Sequence, residues 1–177
     1  MKPETDHPGG DAASDLPQPD TRWREMMERG NAAFLADSYE AALAFYLGGV
    51  LEAERLLFSA LAGTAREGAA PGPALVVATN NAANAYMNDG RPQEALHILE
   101  HASSLLRKAV LDNGAPAAVR MNCLRDMQRA YANLLAHLHK TGAPQAEIDR
   151  AFRMAKSAAQ SCLAAVKPKP RPGRNFH

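Results

Sequence analysis

The sequence predicts an all-α protein of about six or seven helices, arranged as three antiparallel hairpins. Three observations lead there. Alanine is abundant and aromatics make up only 6% of the 177 residues; small side chains of high helix propensity favour closely packed helices. Apolar positions recur at helical spacing: Ala95, Leu99, Ala102 and Leu106 form one 3.6-residue stripe, and Ala78, Ala82, Ala83 and Tyr86 another. Long runs of Val, Ile, Thr and aromatics, which strands require, are missing.

The elements follow in order from the chain-breaking residues. Residues 1–20 hold four Pro, two Gly and five acidic residues and predict a disordered tail. Thr21, as N-cap, opens a first helix to about Ala36, which Asp37-Ser38 ends. Tyr39 to about Ala62 is the second helix, long and apolar. A loop with Gly63, Gly68, Pro71, Gly72 and Pro73 follows, and Ala74 to Asn88 is the third helix. Gly90 and Pro92 form a stop-and-start turn: Gly suits the left-handed helix end and Pro the next first turn. Pro92 to Leu111, Pro116 to about Lys140 and Pro144 to Val166 complete the set. The last residues, KPKPRPGRNFH from Lys167, alternate Pro with basic residues and predict an extended tail. The folded domain is thus expected over 21–166.

Composition narrows the classes of function. A net charge of +1 gives no global attraction to nucleic acid or anionic membrane. No apolar stretch approaches the ~20 residues of a membrane span, and residues 1–20 lack the apolar segment of a signal peptide. Two cysteines make no disulfide framework. A cytoplasmic protein with reduced thiols is expected. No GxSxG, phosphate-binding loop, dinucleotide fingerprint or HExxH motif occurs, so no catalysis, cofactor or metal is expected.

Short turns alternate with long loops, and three segments share a pattern: Gly30 to Tyr46, Ala83 to Leu99 and Leu135 to Phe152. Here the chain resembles the tetratricopeptide repeat family. Gly30, Ala42, Tyr46 and Gly49 carry the likeness in the first repeat, and Ala83, Tyr86, Ala95, Leu99 and Ala102 in the second. The third repeat matches through Leu135, Leu138, Ala151, Ala155 and Ala158, with about four extra residues in its turn. The period is about 52 residues where the family has 34, and Trp23 lies three residues before the motif position, which Met26 occupies. The resemblance implies a short right-handed solenoid, with Ala42, Ala95 and Ala151 as close-contact points between helices.

It also implies a binding groove along the first helix of each hairpin. Asparagine crowds these helices at Asn31, Asn80, Asn81, Asn84 and Asn133. Carboxamides donate and accept hydrogen bonds, so they grip a peptide backbone whatever its sequence. Phe34, Met87 and Arg129 are expected beside them in one cleft. Asn31, Asn81 and Arg129 partly match a carboxylate clamp, although Met27 stands where that clamp has Lys. The alternative is that these asparagines merely cap or face water, or, for Asn81 and Asn84, that they are buried links between helices.

Other residues carry weaker signals. His97 and His101 are spaced to share a metal, but they fall between buried positions and are read as solvated. His137 and His139, two apart, share no helix face. Cys123 and Cys162 lie 19 residues before and 20 after Gly142, so an antiparallel hairpin places them at one level, as buried thiols or as a redox pair. The basic tail residues Lys167, Lys169, Arg171 and Arg174 are read as solubilising. The expected partner is a protein or peptide, not nucleic acid or membrane. A homodimer through Phe152, Met154, Ala158 and Leu163 of the last helix is the alternative.

Overall fold

The computed structural model of the chain describes residues 20–65 and 69–166. The expected tail 167–177 and all of the expected tail 1–20 except Asp20 lie outside the described residues, as do Gly68 and its two preceding neighbours. The described residues are all-helical: α1 (Thr21–Leu35), α2 (Tyr39–Leu61), α3 (Pro71–Asn88), α4 (Pro92–Leu111), α5 (Ala117–Lys140) and α6 (Gln145–Val166).

Helices α5 and α6 start one residue later than expected, at Ala117 and Gln145, and the starts of α1 and α3 differ in other ways. Asp20, not Thr21, is the N-cap of α1, and its carboxylate takes the Arg24 guanidinium at 2.9 Å. Helix α3 begins at Pro71 rather than Ala74, so Pro71-Gly72-Pro73 is its first turn and not loop. Proline is tolerated there because the first turn needs no amide donor.

Left-handed residues close four helices. Gly63, Gly90 and Gly142 have φ of 72°, 73° and 68°, and Asp37 adopts 53°. After each, the next amide reaches back five residues. Ser38 N–H donates to the Ala33 carbonyl at 3.0 Å, Thr64 to Ser59 at 2.9 Å, Arg91 to Tyr86 at 2.8 Å and Ala143 to Leu138 at 2.9 Å. These bonds satisfy carbonyls that a helix end leaves open.

Each helix packs on the next, and further contacts join α1 to α3, α3 to α5, and α4 to α6. The odd-numbered helices therefore form one layer and the even-numbered helices the other. His101 on α4 bonds Glu54 on α2 at 2.5 Å, tying the even layer together. The core between the layers centres on Leu57, Leu75, Leu106, Val110 and Met127, all fully buried. Ala42 and Ala95 have no exposed surface, and Ala151 is also buried.

Glycine sets the closest approach. A Cβ on Gly30 would lie 2.5 Å from the Tyr46 ring. That ring cannot swing away freely, because its hydroxyl donates to Asn31 Oδ1 at 2.9 Å. Buried charges are tied at helix ends. Arg120 Nε donates to the Val110 carbonyl in the last turn of α4, at 3.0 Å. Asp126 presses its carboxylate against Gly72 in the first turn of α3.

These contacts separate two helical glycines. Gly30→Val overpacks a fixed ring and should lose roughly 1–3 kcal/mol. A Cβ on Gly48 would lie 3.1 Å from the end of the flexible Met26 side chain. Gly48→Ala should therefore keep or raise stability, by up to about 1 kcal/mol of helix propensity. Urea unfolding of both variants measures the contrast, and equal losses would show that Tyr46 yields as easily as Met26.

Candidate functional site

The asparagines of the odd-numbered layer fall into two groups. The first spans α1 and α3. Asn31 Oδ1 accepts the Tyr46 hydroxyl, and the Asn81 carboxamide donates to it at 3.5 Å. These two side chains are joined across the helices by a long, exposed bond, and Asn84 takes no part in it.

The second group spans α3 and α5. Asn80, Asn84 and Met87 of α3 meet Asn133, His137 and Lys140 of α5 around a cavity of about 140 Å³, with Ala83, Leu99 and Ala136 as its apolar parts. Helical spacing builds each side: positions 80, 84 and 87 share one stripe, and 133, 137 and 140 another. The side chains of Asn80, Asn84 and Asn133 bond to no other described residue, and Lys140 has no acidic partner among the described residues. The Asn84 backbone carbonyl also accepts from the Asn88 carboxamide, at 2.8 Å.

His137 is buried at this cavity. Burial pushes its pKa below the ordinary imidazole value; the Pro92 carbonyl opposes the shift and Lys140 adds to it. Neither His137 nor Lys140 was expected here. His137 was judged only against His139, whereas its spacing from Asn133 and Lys140 was the legible signal.

Two expected groove residues lie elsewhere. Phe34 is half-buried and stacks edge-on against Tyr39, with centroids 5.5 Å apart, at the turn between α1 and α2. Arg129 lines a separate cavity of about 210 Å³ with Pro71, Gly72 and Cys123, and pairs with Asp126 at 3.7 Å. Burial raises the Asp126 pKa, against Arg129 and Arg125. The single cleft expected to hold Asn31, Phe34, Asn80, Asn81, Asn84, Met87, Arg129 and Asn133 is thus divided, because Arg129 sits one turn nearer the start of α5 and turns to a buried acid.

A wider cavity, about 430 Å³, opens between α4, α5 and α6 over Tyr131, Leu134 and Leu138, with Glu100, Glu147 and Arg150 among its polar residues. No motif or spacing in the sequence pointed to it. His97 and His101 are both exposed. No cluster of three metal-binding side chains occurs among the described residues, and no described helix is long and apolar enough to cross a membrane.

Cys123 and Cys162 are free and buried. Burial, with the nearby Asp126 and Cys162, pushes the Cys123 thiol up to about 11. Cys162 is thus near enough to act on Cys123, and the thiol is held in its protonated form. The last-helix patch is divided: Phe152 and Leu163 are exposed, whereas Ala158 is buried and Met154 half-buried against the core.

Residues 21–169 match a family described as a protein of unknown function, DUF2753. No curated protein and no solved structure matches the chain.

The depressed pKa of His137 fixes the sign of a pH effect. Below about pH 6.5 the unfolded imidazole takes a proton that the folded one resists. Its contribution to stability is present above that pH and is lost as pH falls towards the lower folded value. The melting temperature should drop between pH 7 and pH 5.5, and His137→Gln should flatten that slope. An unchanged slope in the variant would remove His137 as its cause.

Proposed function

Because the chain belongs to the DUF2753 family, whose description assigns no activity, we propose its function from the geometry. The protein is a non-enzymatic scaffold that binds a protein or peptide on the face of α1, α3 and α5. One observation carries this reading: carboxamides cross three successive helices of one layer, and those of Asn80, Asn84 and Asn133 have no described partner. Asparagine is a poor helix former, and these helix positions bring the fold no hydrogen bond in return. A backbone segment laid across them supplies both donors and acceptors. The likeness to tetratricopeptide repeats supports the same face, since that family binds along the first helix of each hairpin. The cytoplasm suits its reduced, protonated thiols.

Self-association is the second reading, favoured by Phe152 and Leu163, which are 58% and 48% exposed on α6. Sedimentation equilibrium separates the two. A monomer would leave the outer face of α6 without this role; a dimer that Phe152→Ser with Leu163→Ser dissolves would establish it.

For the groove, peptides selected from a displayed library on the intact chain should bind the double variant Asn81→Ala, Asn84→Ala at least about tenfold more weakly, at ~1 kcal/mol for each lost hydrogen bond. Melting should hardly change, because alanine favours helix and the Asn31–Asn81 bond is long. A stable variant that binds every selected peptide normally would place the binding surface elsewhere.

A further inference from the structure

The cavity between α3 and α5 has a chemistry of its own. Its polar lining residues are Asn80, Asn84, Asn133, His137 and Lys140, which bring three carboxamides, an imidazole and an ammonium group to this part of the fold. Among the described residues, no Asp or Glu lines it. Lys140 forms no ion pair with a described residue, and the three carboxamides form no hydrogen bond with one. The volume, about 140 Å³, falls below the roughly 300–1,000 Å³ of pockets for drug-sized ligands and suits the end of one side chain.

We propose that this cavity receives an acidic side chain, Asp or Glu, of the partner. The inference rests on the binding-face reading and names the residue class that anchors there. Carboxylate oxygens accept only, so the unpaired amide N–H groups and the ammonium are all usable donors. Met87, Leu99 and the two alanines offer apolar surface for the methylenes of the acid. The site differs from the clamp-like positions of the sequence: Asn31 and Asn81 are bonded to each other, and Arg129 lines another cavity.

Lys140 decides between an acid and its amide. It is the last residue of α5, where the helix presents carbonyl oxygens and negative potential. Without the ammonium group the cavity is a wall of amides beside a negative helix end, and such a wall suits a carboxamide as well as a carboxylate. With it, the carboxylate gains the one cation that the described residues bring to the cavity besides the His137 ring. His137 lies in the same wall, but its burial favours the neutral ring, so the charge preference rests on Lys140.

The test uses the full chain, labelled with ¹⁵N, and two probes of equal shape: N-acetyl-glutamate N-methylamide and N-acetyl-glutamine N-methylamide. The glutamate probe should shift the side-chain amide signals of Asn80, Asn84 and Asn133 saturably, with at least tenfold higher affinity than the glutamine probe. Lys140→Met should erase that preference without changing the melting temperature, since Lys140 is exposed. Lys108→Met, an exposed lysine of α4 outside the cavity, should leave it intact and so exclude a general charge effect. Equal affinity for both probes, no shift up to the solubility limit, or a preference that survives Lys140→Met would overturn the proposal. Library peptides distinguish it from the wider reading. Peptides that need Asn84 but no acidic residue would remove the acid and keep the groove. Glutamate-probe binding without any bound peptide would keep the acid site and remove the groove.

Discussion

The Tyr46 ring lies across Gly30, with its hydroxyl fixed on Asn31, and the first hairpin can close only because position 30 carries no Cβ. The same constraint returns twice. At Gly49 the space of a Cβ is filled by Met27, and at Gly72 by the Asp126 carboxylate. Elsewhere alanine sets the distance, as at Ala42 and Ala95. Large side chains then fill what remains between the layers. Leu57, Leu75 and Leu106 are buried because small residues let their helices come near enough to cover them.

Close approach brings polar groups into the interior, and most are met locally. Thr79 and Ser103 return their hydroxyls to the carbonyls of Leu75 and Leu99. Glu52 is held below the usual carboxylate range by its hydrogen bonds to Arg55, at 2.6–3.2 Å, against the effect of burial. Arg120 satisfies a carbonyl at the end of α4. With such groups settled, the free carboxamides between α3 and α5 stand apart. Asn84 is exposed and Asn80 and Asn133 are half-buried, and none of the three carboxamides has a described partner.

The element order was legible because punctuation and periodicity agree. Gly90-Arg91-Pro92 and Gly142-Ala143-Pro144 mark a helix end and the next start, and the observed boundaries fall within a residue of the expected ones there. Pro71-Gly72-Pro73 was misread because two prolines around a glycine suggest loop. In the structure Gly72 is the residue that must be small, since Asp126 of α5 occupies its side-chain space. Nothing near Pro71 in sequence announces a partner 54 positions away. The same distance hid the division of the groove. Asn31 and Asn81 share a bond across 50 residues, and Arg129 turns to an acid buried by a helix that the sequence does not place beside it.

The division also says where a ligand adds most. Between α1 and α3 the amide–amide bond already links the helices, so a ligand there displaces an existing interaction. Between α3 and α5 no side-chain hydrogen bond between described residues has to be displaced. Each asparagine in a helix interior costs up to about 0.7 kcal/mol relative to alanine, and for Asn80, Asn84 and Asn133 no protein hydrogen bond offsets that cost. Water satisfies these groups in the free protein, and a ligand that replaces the water must match its hydrogen bonds or lose affinity. An apolar anchor fails that condition, whereas a carboxylate meets it and also gains Lys140. On the proposed binding face, selectivity is therefore set at α3 and α5, where the carboxamides are free of one another, and not at the long, exposed Asn31–Asn81 bond between α1 and α3.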